Sequence, residues 1–158
     1  MSNDTMSNDT IGRPMEILLV EDNLVNARLT MGSIANGQVK HRLTLTRDGR
    51  EALDFLFRLG RFARAPRPDL ILLDLRLPEV DGLEVLGKIK SHQELRTIPV
   101  VVMTASDDEQ DKLKCEQLNI DGYLTKPVDV RQFLDLIRQL RRLLRDDIVL
   151  PKDEDSPQ

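Results

Sequence analysis

Cysteine occurs once in the 158 residues, tryptophan does not occur, and aromatic side chains make up 3%. With Cys115 alone, an internal disulfide framework and a cysteine-based zinc cluster are both excluded, and the chain suits a reducing compartment. So few aromatic faces leave little on which single-stranded nucleic acid could stack. Positive charge is not in excess either: 23 Lys and Arg stand against 27 Asp and Glu, a net charge of −4. No global attraction to nucleic acid or anionic lipid follows from that balance. No apolar run approaches the ~18 residues of a membrane-spanning helix. The opening MSNDTMSNDTIGRP lacks both the basic region and the apolar stretch of a secretory signal, so a cytoplasmic location is expected. Its doubled pentamer is too short and polar for a solenoid repeat, and residues 1–14 read as a disordered tail.

From Met15 onward, short apolar runs alternate with longer segments of helical period. Glu16-Ile17-Leu18-Leu19-Val20 reads as a buried strand that ends in two carboxylates, Glu21 and Asp22. Asn23 can cap a helix running to about Ala35, with Asn36-Gly37 as its stop. Residues 41–46 alternate polar and apolar, as an edge strand does. Asp48-Gly49 leads into a helix with Ala52, Phe55, Leu56 and Leu59 on one face, closed by Gly60, and the basic, proline-containing segment 61–68 reads as a loop. Leu70-Ile71-Leu72-Leu73 is apolar on both faces and ends in Asp74. A helix over 83–91, a strand over 100–103 with Thr104 at its end, a charged helix over 107–118, a short strand over 121–124, the break Lys126-Pro127 and a helix over 129–145 complete the pattern.

Five strands alternating with five helices imply βαβ units, hence an α/β fold with a doubly wound parallel sheet. Such sheets bind ligands outside the carboxyl ends of their strands. Glu21, Asp22, Asp74, Thr104 and Lys126 all fall on that rim. Three carboxylates close together repel one another, and a hard divalent cation relieves the repulsion. Mg²⁺ fits best, because it takes oxygen ligands and sits between carboxylates and a phosphate. A carboxylate beside it can attack phosphorus to give an aspartyl phosphate. Lys126 and Thr104 would then neutralise and hydrogen-bond the phosphoryl oxygens. Taken singly, each residue has a plainer explanation: an acidic pair and a threonine as helix caps, a Lys-Pro as a turn. Their joint placement after four different strands is what caps alone do not supply.

The segments Val-Glu-Asp-Asn (20–23), Leu-Leu-Asp-Leu-Arg-Leu-Pro-Glu-Val-Asp-Gly (72–82), Met-Thr-Ala (103–105) and Tyr-Leu-Thr-Lys-Pro (123–127) resemble those of the receiver domains of two-component response regulators. The resemblance covers about residues 15–145. It implies the flavodoxin-like receiver fold with five strands in the order 2-1-3-4-5. It also implies that Asp74 accepts phosphate from a kinase phosphohistidine and that Glu21, Asp22, Asp74 and the backbone carbonyl of Arg76 hold Mg²⁺ or Mn²⁺. Thr104 and Lys126 fall to the phosphoryl group, Tyr123 matches the family's switch aromatic, and the Lys126-Pro127 bond is expected to be cis.

Only about a dozen residues follow the last helix, too few for a DNA-binding or enzymatic output domain, so output through partner contacts is expected. The loop at 61–68, the segment Arg-Pro-Asp-Leu-Ile-Leu-Leu-Asp-Leu and the ending Ile-Val-Leu-Pro look like those of the stand-alone regulators that partner phytochromes, which suggests a phytochrome sensor histidine kinase as donor. On the last helix, Phe133, Ile137, Leu140 and Leu144 share a face, with Leu136 and Leu143 beside it. Residues 146–158 read as an arm and tail in which Ile148-Val149-Leu150 needs a cover. Exchange of this arm in a homodimer, using Leu136, Leu143, Ile148, Val149 and Leu150, is one expectation; folding back on its own subunit is the other. Two competing functions remain. A haloacid dehalogenase-type phosphohydrolase would need a second Asp where Arg76 stands, and a binding module that is never phosphorylated would usually show gaps in the acidic pocket.

Overall fold

The computed structural model describes residues 12–105 and 109–150. Its strands are β1 (Met15–Val20), β2 (His41–Thr46), β3 (Leu70–Asp74), β4 (Val100–Thr104) and β5 (Gly122–Thr125). Between and after them run α1 (Leu24–Asn36), α2 (Gly49–Leu56), α3 (Gly82–Ser91), α4 (Glu109–Gln117) and α5 (Val130–Leu140). All strands are parallel, in the order β2-β1-β3-β4-β5. Every residue of β3 is buried and β1 is nearly so, whereas the edge strands β2 and β5 are mostly half-buried. Runs apolar on both faces therefore lie at the centre and alternating ones at the rim, as burial on two faces demands.

Successive residues of each strand point to opposite faces, which divides the core in two. On one face Met15, Ile17, Leu19, Leu70, Leu72, Val101 and Met103 meet Ala27 and Ile34 of α1 and Phe133, Leu136, Ile137 and Leu140 of α5. On the other, Leu18, Val20, Ile71, Leu73, Val100 and Val102 meet α2, α3 and Cys115 of α4. Each helix after β1, β2, β3 and β5 begins on a side chain that shields otherwise unpaired N–H groups. Asn23 accepts from the Asn26 N–H, Asp48 from Glu51, Asp81 from Leu83 and Asp129 from Gln132. No helix among the described residues is long and apolar enough to cross a membrane.

Three boundaries differ from expectation. α2 ends at Leu56, because Arg58 adopts a left-handed φ of 58°, and Gly60 opens a short 3₁₀ turn to Phe62 where a loop was expected. α5 ends at Leu140, and the segment to Arg145 continues as turns that bury Leu144 but leave Leu143 exposed. The third lies at the chain ends. Arg13 and Pro14, read as the end of a tail, belong to the folded body. Arg13 pairs with Ile148 in a parallel bridge, its N–H donating to the Asp147 carbonyl at 2.6 Å and its carbonyl accepting from Val149 at 3.1 Å. Its guanidinium grips both oxygens of the buried Asp69 at 2.7 and 2.8 Å and reaches Asp147 at 2.8 Å. Asp69 also accepts from the Glu16 N–H, so one charge cluster ties the entry of β1, the entry of β3 and the arm together. The remainder of the tail, 1–11, and residues 151–158 lie outside the described residues, as do residues 107–108 of the expected fourth helix.

The expected dimer residues divide accordingly. Leu136 and Ile148 are buried in the chain's own core and Leu150 packs against it, while Leu143 and Val149 are exposed. Of the arm's described residues, Ile148 and Leu150 pack against their own subunit.

Candidate functional site

Parallel topology brings the carboxyl ends of all five strands to one rim, and the loops there hold the polar residues. Glu21 and Asp22 follow β1, Asp74 closes β3, Thr104 closes β4 and Lys126 follows β5. Their backbones are fixed from neighbouring strands: the Glu21 N–H donates to the Thr46 carbonyl at 3.0 Å, and the Lys126 N–H to the Thr104 carbonyl at 2.9 Å. Gly82, at the start of α3, must be glycine, because a Cβ there would lie 2.6 Å from the Asp74 carbonyl and 2.5 Å from the Leu75 Cα. The loop from the acceptor strand can close tightly beneath the site only with that side chain missing.

At the centre stands a buried ion triad. Lys126 Nζ lies 2.6 Å from Asp74 Oδ2 and 2.8 Å from Glu21 Oε1, with side chains 11%, 4% and 1% exposed. Asp74 Oδ1 accepts from the Arg76 N–H at 2.9 Å, and Glu21 Oε2 from the Asn23 N–H at 3.1 Å. Burial works against the Lys126 ammonium, but its hydrogen bond to Asp74 and the close negative charge of Glu21 outweigh this and raise its pKa. For Glu21, burial and the nearby Asp74 raise the pKa against the pull of Lys126. The two carboxylates share one lysine and still repel.

That imbalance tests whether a cation fits. Glu21, Asp22 and Asp74 each present an oxygen within 4.8 Å of the others. Glu21 Oε1 is buried and, although close to Lys126, is not aligned with it for a hydrogen bond. Three carboxylates against one ammonium leave two negative charges, the amount a divalent cation cancels. The donors are all hard oxygens, and Asp22, only half-buried, opens one side to water, which matches the chemistry of such ions. A divalent cation fits this set.

The other expected residues occupy the surroundings. Thr104 lies level with Thr125, one residue beyond the Asp74–Met103 pair. Tyr123 sits in β5 beside the buried Cys115, and its hydroxyl donates to the Lys112 carbonyl of α4 at 3.0 Å. Burial, with the neighbouring thiol, pushes the Tyr123 phenol well above its ordinary pKa. Burial likewise raises the Cys115 thiol, which makes it a poor nucleophile. The Lys126–Pro127 peptide is cis. Two rim residues escaped the reading of the sequence. Arg47, just after β2, donates to the Asp22 carbonyl at 3.0 Å, and Asp111 of α4 lies 3.2 Å from the Arg76 guanidinium. Arg47 could have been found from its place at a strand end; Asp111, in a uniformly charged helix, gave no such signal.

A doubly wound sheet that gathers an acidic triad, a lysine and a threonine on its carboxyl rim presents the groups that phosphoryl chemistry with a divalent cation requires. The match to known proteins is specific: residues 17–138 fit the response regulator receiver domain, and the chain belongs to that family of two-component signalling proteins. The response regulator Rcp1 of Synechocystis sp. is 38% identical over 143 residues, spanning 90% of this chain and 97% of Rcp1. The structure of its Mn²⁺-bound form superposes with a TM-score of 0.72 at 39% identity over 88% of this chain and all of that one. The bacteriophytochrome response regulator RtBRR superposes with a TM-score of 0.76 at 38% identity, over 91% of this chain and 84% of that one. The phosphorylated cyanobacterial phytochrome response regulator RcpA gives 0.72 at 40% identity, over 88% and 99%.

Proposed function

We propose that Asp74 accepts a phosphoryl group from the phosphohistidine of a sensor histidine kinase. The observation that supports this most directly is the buried Asp74 carboxylate with Lys126 Nζ 2.6 Å from one oxygen, inside the acidic triad. A carboxylate oxygen forms the new P–O bond while the P–N bond breaks, and the phosphohistidine ring, protonated on its other nitrogen before transfer, takes the bonding pair and leaves as neutral imidazole. Glu21, Asp22, Asp74 and the Arg76 carbonyl would hold Mg²⁺, or Mn²⁺. When bound, that cation supplies charge neutralisation for the phosphoryl oxygens. Lys126 pairs with one phosphoryl oxygen and the Thr104 hydroxyl donates to another. Thr104 moves toward the group and Tyr123 fills the space behind it, which biases a two-state equilibrium of the surface formed by α4, β5 and α5. Later, water attacks phosphorus, the P–O bond to Asp74 breaks and phosphate leaves, so the only catalysis is self-directed.

A phytochrome kinase is the proposed donor, supported by the names of the relatives, and with it a cytoplasmic location. α1 offers a docking face beside the site, where Leu24, Val25 and Leu29 are exposed immediately after the acidic pair. A second copy of the chain, seated on exposed Leu143 and Val149 of the arm region, is the proposed assembly. The test of the central reading is incubation with acetyl phosphate and Mg²⁺ followed by intact mass measurement. Wild type gains one phosphoryl group and Asp74→Asn gains none; an adduct that survives the substitution refutes Asp74 as acceptor.

A further inference from the structure

Helix α4 is fastened to the body differently from the other helices. Of its residues Glu109–Gln117, Cys115 is the buried one, so little apolar burial holds it. Polar contacts reach it from the neighbourhood of the acceptor, among them the Tyr123 hydroxyl on the Lys112 carbonyl at 3.0 Å and the Arg76 guanidinium on Asp111 at 3.2 Å. Arg76 is two residues beyond Asp74, and its own N–H donates to Asp74 Oδ1 at 2.9 Å. Its side chain is 72% exposed while that of Asp111 is 22% exposed, so the guanidinium lies at an open rim and can change direction. A phosphoryl group on Asp74 brings about two negative charges and three acceptor oxygens next to it. A guanidinium forks onto such a group better than onto a single carboxylate oxygen.

We propose that Arg76 exchanges partners on phosphorylation, leaving Asp111 for the phosphoryl oxygens and thereby unfastening the first half of α4. The exchange rests on Asp74 being the acceptor. Asp111, left beside a site that has become more negative, is repelled rather than merely released, and both effects act in the same direction. Arg76 acts here as a positioning residue: its side chain reports the charge on Asp74 to α4, while its backbone carbonyl is untouched by any side-chain substitution.

Hydrogen exchange of α4 in the full chain tests this, with intact mass of the same samples giving the phosphoryl occupancy after treatment with acetyl phosphate and Mg²⁺. An exposed ion pair fastens weakly, so exchange over residues 109–117 rises about two- to fivefold on phosphorylation of wild type. Asp111→Asn exchanges at the raised level before phosphorylation and changes little after it. The reversed pair R76D/D111R keeps the contact but puts the arginine on the helix, so phosphorylation draws α4 inward and its exchange falls. Absence of an Asp74-dependent adduct sinks both the acceptor assignment and the exchange. An adduct with α4 exchange unchanged in wild type, or raised in R76D/D111R as in wild type, sinks the exchange alone.

Discussion

Replacing Lys126 by methionine keeps the length and bulk of the stem and removes the ammonium. The structure allows the consequence to be worked out. At an effective dielectric constant near 20, a unit pair at the distances of Lys126 from Asp74 and Glu21 is worth about 6 kcal/mol each, against which stands the desolvation of all three groups. Removing one partner of a buried cluster does not return that desolvation, because Glu21 and Asp74 remain buried and now face each other without a cation. The expected loss is about 3–5 kcal/mol in metal-free buffer, the range for orphaning a buried charge. Protonation of Glu21, whose pKa is already raised by burial and by Asp74, limits the loss at acid pH, so the gap between Lys126→Met and wild type widens as pH rises above the ordinary carboxylate range. A divalent cation opposes it, because the pocket has gained one negative charge. Mg²⁺ therefore stabilises the variant more than wild type and binds it at least about tenfold more tightly, since a single unit charge at 4 Å is worth more than 1.4 kcal/mol. Urea unfolding followed by circular dichroism, with and without Mg²⁺, measures both. A loss below 1 kcal/mol without metal, or equal stabilisation of the two proteins by Mg²⁺, would refute the account of the triad.

Tyr123 is the chain's one tyrosine and there is no tryptophan, so absorbance titration near 295 nm reads this phenol alone. It is expected to ionise well above the range of a free tyrosine. Its folded pKa is raised, so its contribution to stability is complete below the unfolded value near 10 and is lost as pH rises from there through the folded value. Titration at the ordinary value would mean that the phenol is not buried beside Cys115. Arg13→Ala leaves the buried Asp69 carboxylate with only the Glu16 N–H, which should cost about 3 kcal/mol in urea unfolding and speed amide exchange at Ile148 and Val149. For the assembly, light scattering of a chain ending at Asp147 should give a smaller species than the full chain; an unchanged dimer excludes the arm from the interface.

What the sequence disclosed, and what it withheld, follows from the range of the forces involved. β3 was legible because four consecutive apolar residues bounded by Pro68-Asp69 and Asp74 can only be buried on both sides, and the topology then follows from the parallel crossovers. The rim was legible because strand ends are defined by where apolarity stops, so Glu21, Asp22, Asp74, Thr104 and Lys126 could be placed without knowing a single distance. Helix ends were less so: α5 keeps its charged and apolar spacing to Arg145, yet the regular helix ends at Leu140 and the turns that follow bury Leu144 and Ile148. Ion pairs between distant segments were not legible at all. Nothing in the period or composition of the first 14 residues distinguishes Arg13 from a solvated cation, and its partners Asp69 and Asp147 lie 56 and 134 residues away. The same holds for Arg76 and Asp111, 35 residues apart. A charged residue has no periodic signature, since solvent satisfies it almost as well as a partner does. Only the fold decides which charges meet. The family's chemistry could thus be located from residue order, whereas the contacts of Arg13 at one pole and Arg76 at the other had to come from three-dimensional proximity.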